Sequence, residues 1–248
     1  MSIRPIYRRL KARFGLYRKI NWCKSLYFNF KYFPWSTACK LPILFYGKVH
    51  FGKLKGSIKL PEQLRMGMIG FGQPYELVTR SRGIAECHIE GELEFKGYVQ
   101  FGLDYLLHIG PQGALTMGHM SSVASNSKVI CHHEITFGDY ARLGSEAQVI
   151  DTNFHAMRTV STNTPLPMRA PISIGSYNFI SNRVTFLQGA KTPDHCTVAS
   201  NSLCTKDITD LGQNVLVGGI PVKLLREDID RDWAGEEAML DKYLKLFQ

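Results

Sequence analysis

Residues 174–209 read IGSYNFISNRVTFLQGAKTPDHCTVASNSLCTKDIT, and the run repeats itself every six residues. Ile174, Ile180, Phe186 and Val198 fall on one phase, with Thr192 and Cys204 as weaker members. Four positions after these members stand Asn178, Val184, Ala190, Cys196, Ser202 and Ile208, mostly small or medium in size. A helix cannot use a period of six, because successive members would spread around its whole circumference. A strand-and-corner unit can. One inward residue, a small corner residue and a few outward ones per hexad build a parallel β-helix of stacked coils.

The pattern continues upstream. Phe137, Leu143 and Val149 keep step, with Ala141 and Ala147 in the small slots. Met117, Val123, Val129 and Ile135 do likewise, with Ser121 and Ser127 in theirs. A two-residue slip at Phe137 separates the blocks and suggests a long corner. A meander of short antiparallel strands competes, since alternation of period two also fits parts of the run.

With GGIPVKLLR after it, the run resembles the hexapeptide-repeat acyltransferases, most of all the bacterial surface-polysaccharide O-acetyltransferases. Phe179 stands for the Trp of I-G-x-x-x-W-I-G, and Ser181 for a Gly. Cys204-Thr205-Lys206-Asp207 stands for V-T-K-D, and Pro221-Val222-Lys223 for P-A-K. The resemblance covers residues 109–226, about half of the chain. It implies a left-handed parallel β-helix, a homotrimer, and acetyl-CoA bound along a groove between subunits.

At 248 residues and 44% hydrophobic, the chain can bury a core, and one domain with appendages is expected. No run approaches a transmembrane helix and no signal peptide is visible. The six cysteines (23, 39, 87, 131, 196 and 204) lack C-x-x-C pairing, which favours packed, reduced thiols and a cytoplasmic protein. The net charge of +9 is unevenly spread. Residues 1–60 hold 14 Lys and Arg and no Asp or Glu, whereas the remainder has 16 basic and 21 acidic residues.

Residues 1–40 are expected to form a basic, aromatic, helical extension. Over residues 3–20, Ile3, Ile6, Leu10, Phe14, Tyr17 and Ile20 recur at helical steps among arginines and lysines. The stretch NWCKSLYFNFKYFPW follows. Residues 1–35 suit peripheral contact with an anionic membrane surface, here the inner face of the cell membrane. A helix packed on the solenoid flank, its charges merely solvated, stands as the other reading. No motif supports nucleic acid.

Residues 41–221 are assigned to the solenoid, whose early coils to about residue 108 are irregular. Hexads lapse between Val149 and Ile172, and Pro165, Pro167 and Pro171 mark an exposed loop at 156–171. In the family it resembles, such a loop covers the transfer site, where Arg158 and Arg169 would meet an anionic group. Residues 222–248 read as a helical segment, with Leu224, Leu225, Ile229, Trp233 and Met239 on its apolar face.

Acyl transfer from a thioester to an alcohol needs a base, a donor to the developing oxyanion and a groove for the thioester. His155, in VIDTNFH just before the loop, matches the base of relatives reading D-T-D-x-H. Asp151 is the expected orienting carboxylate, with Glu146 and Asp139 as substitutes. Asn182 and Ser200 would line the pantetheine arm. Thr205, Lys206, Lys223 and Arg226 would meet the adenosine and its phosphates. Cys131-His132-His133 resembles a metal cluster, but neighbours on a strand face opposite ways, so no metal is expected. His132 and His133 would instead line the acceptor pocket.

The expected activity is direct acetyl transfer from acetyl-CoA to a sugar hydroxyl of a surface polysaccharide or its precursor. Two alternatives stay open: an N-acetyltransferase of an amino sugar or an antibiotic-like small molecule, and a non-catalytic hexapeptide scaffold.

Overall fold

The structure, a computed structural model, describes residue 15 and residues 17–73 and 80–244; for 240–244 only the backbone is described. The helix expected over residues 3–20 lies largely outside these.

Short strands stack in parallel on three faces. The first face is a nine-stranded sheet, the second has seven strands and the third five. In the regular part each coil gives one strand to each face in turn, as in Ser121–Val123, Lys128–Cys131 and Glu134–Phe137. The strands pair in register with those one coil away. Val123 pairs with Leu143, Leu143 with Ile180, and Ile180 with Val198, forming one inward column. Val129, Val149, Phe186 and Cys204 form a second. Met117, Phe137 and Ile174 form a third. Ile180 to Val198 spans three hexads, one per face, so the six-residue period is the side of a triangular coil. The antiparallel meander is thereby set aside.

Two details explain the irregular members. The slip at Phe137 is the strand Glu134–Phe137 itself, which turns both Ile135 and Phe137 inward. The polar members Asn178 and Thr192 are buried because they bond to each other. Asn178 Nδ2 donates to the carbonyls of Ser176 (3.0 Å) and Pro193 (2.8 Å), and Thr192 Oγ1 donates to Asn178 Oδ1 (2.8 Å). Thr192 Oγ1 in turn accepts from the Gly175 amide. Buried polar groups are tolerated where their partners are complete.

Cysteines fill core slots in early and late coils alike. Burial pushes the thiols of Cys87, Cys196 and Cys204 up to about 12, so they pack as small apolar groups. All six cysteines are free.

The three edges of the prism differ in chemistry. Between the third and first faces, Met120, Tyr140, Tyr177 and His195 stand one above another, all with positive φ. Left-handed backbone is unfavourable for bulky residues, and ring stacking accompanies it here. Tyr140 lies 5.0 Å from Tyr177, and Tyr177 4.9 Å from His195, with interplanar angles of 7° and 6°. Gly138 turns the same edge because a Cβ there would sit 2.5 Å from the Ser176 amide nitrogen.

The C-terminal segment closes this edge. Trp233 packs edge-on to Tyr177 (5.5 Å), Asp230 Oδ2 meets His195 Nδ1 at 2.5 Å, and Arg231 lies over Phe179. The tail expected to be helical from residue 222 departs from that reading at its start. Lys223–Arg226 is a strand antiparallel to Val215–Gly218, because the last coil still offers an open sheet edge. The C-terminal helix begins only at Trp233.

At the other end a cap helix, Trp22–Tyr32, covers the first coil. Its Phe28 is fully buried against Phe45 (4.9 Å) and Phe51 (5.6 Å). A ladder of stacked rings, Phe45, Phe71 and Phe101, runs inward from there. Outside the second face runs a column of imidazoles. His50, His88, His108 and His132 are spaced 6.2, 5.4 and 5.1 Å between neighbouring ring centres. Burial, then the neighbouring His132 and His88, lower the affinity of His108 for a proton; Glu90 opposes this and Lys53 adds to it.

Two outcomes are expected. Asn178→Ala strands two carbonyls and a hydroxyl and should lower unfolding stability by about 2–3 kcal/mol in denaturant titrations. His108 binds protons less readily folded than unfolded, so stability should fall as pH drops below the ordinary imidazole range near ~6.5. Thermal unfolding between neutral and mildly acidic pH should show this loss, and His108→Gln should reduce its slope.

Candidate active site

The second edge, between the second and third faces, carries the expected catalytic residues. The chain reaches it from Gln148–Ile150, leaves the solenoid after Asp151, and returns at Ile172–Ile174. The loop at 156–171 has structure of its own. Met157–Thr159 and Thr164–Leu166 pair antiparallel, and Arg158 Nη1 donates to Asn163 Oδ1 at the turn. The root of this hairpin is clamped. The Asn153 amide donates to the Met168 carbonyl and the Ala170 amide to the Asp151 carbonyl. Thr152 Oγ1 also donates to the Met168 carbonyl (3.2 Å) and accepts from the Phe154 amide.

His155 sits at this root, exposed, its amide donating to Asn153 Oδ1 (3.3 Å). Its imidazole makes no hydrogen bond or ion pair among the described residues. An exposed, unengaged imidazole at a clamped position is available to take a proton from an incoming group.

Asp151, the expected orienting carboxylate, is engaged with the backbone of a neighbouring coil. It is fully buried, and its two carboxylate oxygens accept the backbone amides of His132 (2.8 Å) and His133 (2.7 Å). Both oxygens bond to the coil below. The reason is local: the corner after Cys131 exposes two successive amides inward, and a carboxylate one coil up satisfies both. The substitutes are likewise engaged. Glu146 pairs with Arg183 (2.6 Å), and Asp139 accepts the His119 amide (2.6 Å).

Asp151 thereby holds His132 in place beside the hairpin root. The His132 ring stacks on His108, and Phe154 meets it edge-on at 5.2 Å. Arg169 Nη1 donates to the His132 carbonyl (3.3 Å) and to Gln112 Oε1 (2.8 Å). His155, Phe154, His132 and Arg169 therefore border one region of this edge. Phe154 and His108 were missed in the sequence, although His88, His108 and His132 recur at about one coil length. Among the described residues no group of His, Cys, Asp and Glu could hold a metal ion.

The residues expected to hold the cofactor divide between two edges. Asn182 and Ser200 are exposed and occupy equivalent positions of successive coils, on the edge between the first and second faces. Lys223 lies at the top of that edge, paired with Gly218, and Arg226 follows on the same strand. Thr205 and Lys206 lie on the other edge, the one bearing His155. There the Lys206 carbonyl accepts the Lys191 amide. The Thr209 hydroxyl and amide, with Lys191, hold the adjoining Asp207 carboxyl down to about 2, tying this corner. Within one chain the width of the second face separates the two sets.

No family model matches the chain. It is 26% identical over 107 residues to the galactoside O-acetyltransferase of Escherichia coli, a match covering 43% of this chain and 51% of that protein. The chain thus spans about half the length of this curated relative. Among solved structures, it is similar to a hexapeptide-repeat-containing acetyltransferase from Vibrio cholerae, with 22% identity, a TM-score of 0.43, and coverage of 55% of this chain and 73% of that one. It is also similar to the polySia-specific acetyltransferase NeuO, with 13% identity, a TM-score of 0.42, and coverage of 77% and 78%. An N-acyltransferase from Bacillus cereus, AntD, is 12% identical at a TM-score of 0.46, covering 86% of this chain and 97% of its own.

Proposed function

We propose that this chain is a left-handed β-helix O-acetyltransferase that moves an acetyl group from acetyl-CoA to a sugar hydroxyl of a bacterial surface polysaccharide or its precursor. The observation that carries this reading is the exposed imidazole of His155, unengaged among the described residues, at the root of an exposed hairpin directly after Phe154, whose ring meets His132 edge-on. The sequence similarity to a galactoside O-acetyltransferase supports the class of donor and acceptor.

In the proposed step His155 takes the proton of the sugar hydroxyl as its oxygen attacks the thioester carbonyl. The tetrahedral oxyanion collapses, the carbon–sulfur bond breaks, and the imidazolium returns its proton to the departing CoA thiolate. No acyl-enzyme forms. Arg169 and the ring faces of Phe154 and His132 would position the sugar.

A homotrimer is part of the reading. Asn182, Ser200 and Lys223 stand on one edge, and His155, Thr205 and Lys206 on another. A CoA molecule touching both sets fits between two copies with unlike edges facing. The hairpin supports this arrangement, since Met157, Val160 and Leu166 project into solvent at 54%, 93% and 48% exposure and would be covered by a neighbour. The free, buried thiols favour a reducing, cytoplasmic setting.

Two substitutions separate chemistry from structure. His155→Ala should reduce CoA release with a hydroxyl acceptor by about 10²-fold or more and leave the unfolding midpoint unchanged. An unaltered rate would remove His155 from the mechanism, and a wild type active only on amines would favour N-acetylation. Asp151→Ala leaves two buried amides without an acceptor and should cost about 1–3 kcal/mol of stability. Denaturant unfolding of Asp151→Ala checks that value.

A further inference from the structure

The cap helix buries polar residues and leaves apolar ones exposed. Its polar residues Ser25 and Asn29 point inward and are fully buried, where they satisfy the open edge of the first coil. Asn29 Nδ2 donates to the Ile43 carbonyl (2.7 Å), Asn29 Oδ1 accepts the Ile43 amide (3.3 Å), and Ser25 Oγ accepts the Phe45 amide (2.9 Å). Phe28 packs inward beside them, but a second set of apolar residues points outward. Trp22, Leu26 and Phe30, spaced four apart, form one stripe at 37%, 42% and 40% exposure. Tyr27 (55%) flanks it, and Trp35 (75%) extends it from the next turn of chain, its ring 5.0 Å from Phe30. Helices on soluble surfaces put such stripes against the core. This one faces solvent because the open strand edge claims the polar side.

The segment that carries the stripe is basic. The first 60 residues carry 14 basic and no acidic side chains. Beside Tyr27 opens a cleft of about 480 Å³ lined by Lys24, Lys31, Lys53, Lys55 and Phe51. Lys24 lies over the Phe51 ring at 4.6 Å, and Lys53 also reaches Glu90 at 3.3 Å. An aromatic ridge next to a lysine-lined cleft matches a layer whose apolar interior lies beneath phosphate groups.

We infer that the cap end of the solenoid docks on an anionic phospholipid membrane. Trp22, Leu26, Phe30 and Trp35 enter the interface, and the lysine cleft takes lipid phosphates. A second copy of this surface is disfavoured by its own charge, since identical patches would bring their lysines together. Protein interfaces are depleted in lysine. Among the described residues no helix is long and apolar enough to cross the bilayer, so the contact is peripheral.

The test uses the full chain, without acyl donor or acceptor, so its outcome is independent of the acyl-transfer reading. Vesicles of phosphatidylcholine alone are compared with vesicles containing phosphatidylglycerol. Two of the three tryptophans lie on the proposed surface, and the third, Trp233, is buried elsewhere. Co-sedimentation with the anionic vesicles, weakened by salt, is expected, with a blue shift in tryptophan emission and quenching by brominated lipid. Lys24→Glu with Lys31→Glu should weaken binding by about tenfold or more, as should Trp22→Ser with Trp35→Ser. Unchanged unfolding midpoints would show that both pairs stay folded. The proposal is overturned by failure to bind anionic vesicles at low salt, or by equal binding to neutral ones. Self-association that shields the tryptophans without lipid would assign the surface to a second copy and overturn it as well.

Discussion

In-register stacking is the constraint on which the structure depends. Each inward residue lies on the equivalent residue of the coils above and below, so Val123, Leu143, Ile180 and Val198 share one environment. Parallel strands of two to four residues have too few hydrogen bonds to hold alone. They persist because every coil is paired on three faces at once. The same constraint makes polar residues in the core depend on one another. Asn178 is admissible only because Thr192 and the Pro193 carbonyl meet it one coil later.

Stacking also turns corners into columns, and the three columns have diverged. One is aromatic and is closed by Trp233 and Asp230 of the tail. One is small and polar, built of residues such as Asn182 and Ser200. The third breaks open into the hairpin and holds His155 at its root. Asp151 illustrates how a site and a scaffold share residues: its carboxylate fastens the corner of the coil beneath, and that corner carries His132 to the edge of the proposed site.

A solenoid has two ends, and each needs covering. At the C-terminal end a returning strand pairs with the last coil, and the chain then folds down over the aromatic edge. At the N-terminal end a helix meets the open strand with Ser25, Phe28 and Asn29 and turns Trp22, Leu26, Tyr27 and Phe30 to the outside. Satisfying backbone groups at that end thus creates the exposed apolar surface. The proposed lipid contact would cover that surface.

The six-residue period was legible because it is short-range and enforced at every coil: inward Ile180 and Phe186 and small Val184 and Ala190 follow from space alone. The early coils were less legible, since insertions lengthen them and the period is lost although Phe45, Phe71 and Phe101 still stack. His155 stood out by its place before a proline-rich loop, which is a local signal. Its relation to Asp151 could not be read, because a carboxylate four residues away along the chain can face another coil, and here it does. The separation of Asn182 and Ser200 from Thr205 and Lys206, and the inward turn of Ser25 and Asn29, were likewise decided by tertiary structure. Sequence determined which residues point into the prism; which edge each outward residue occupies depends on counting corners through irregular coils, and only the folded chain does that counting.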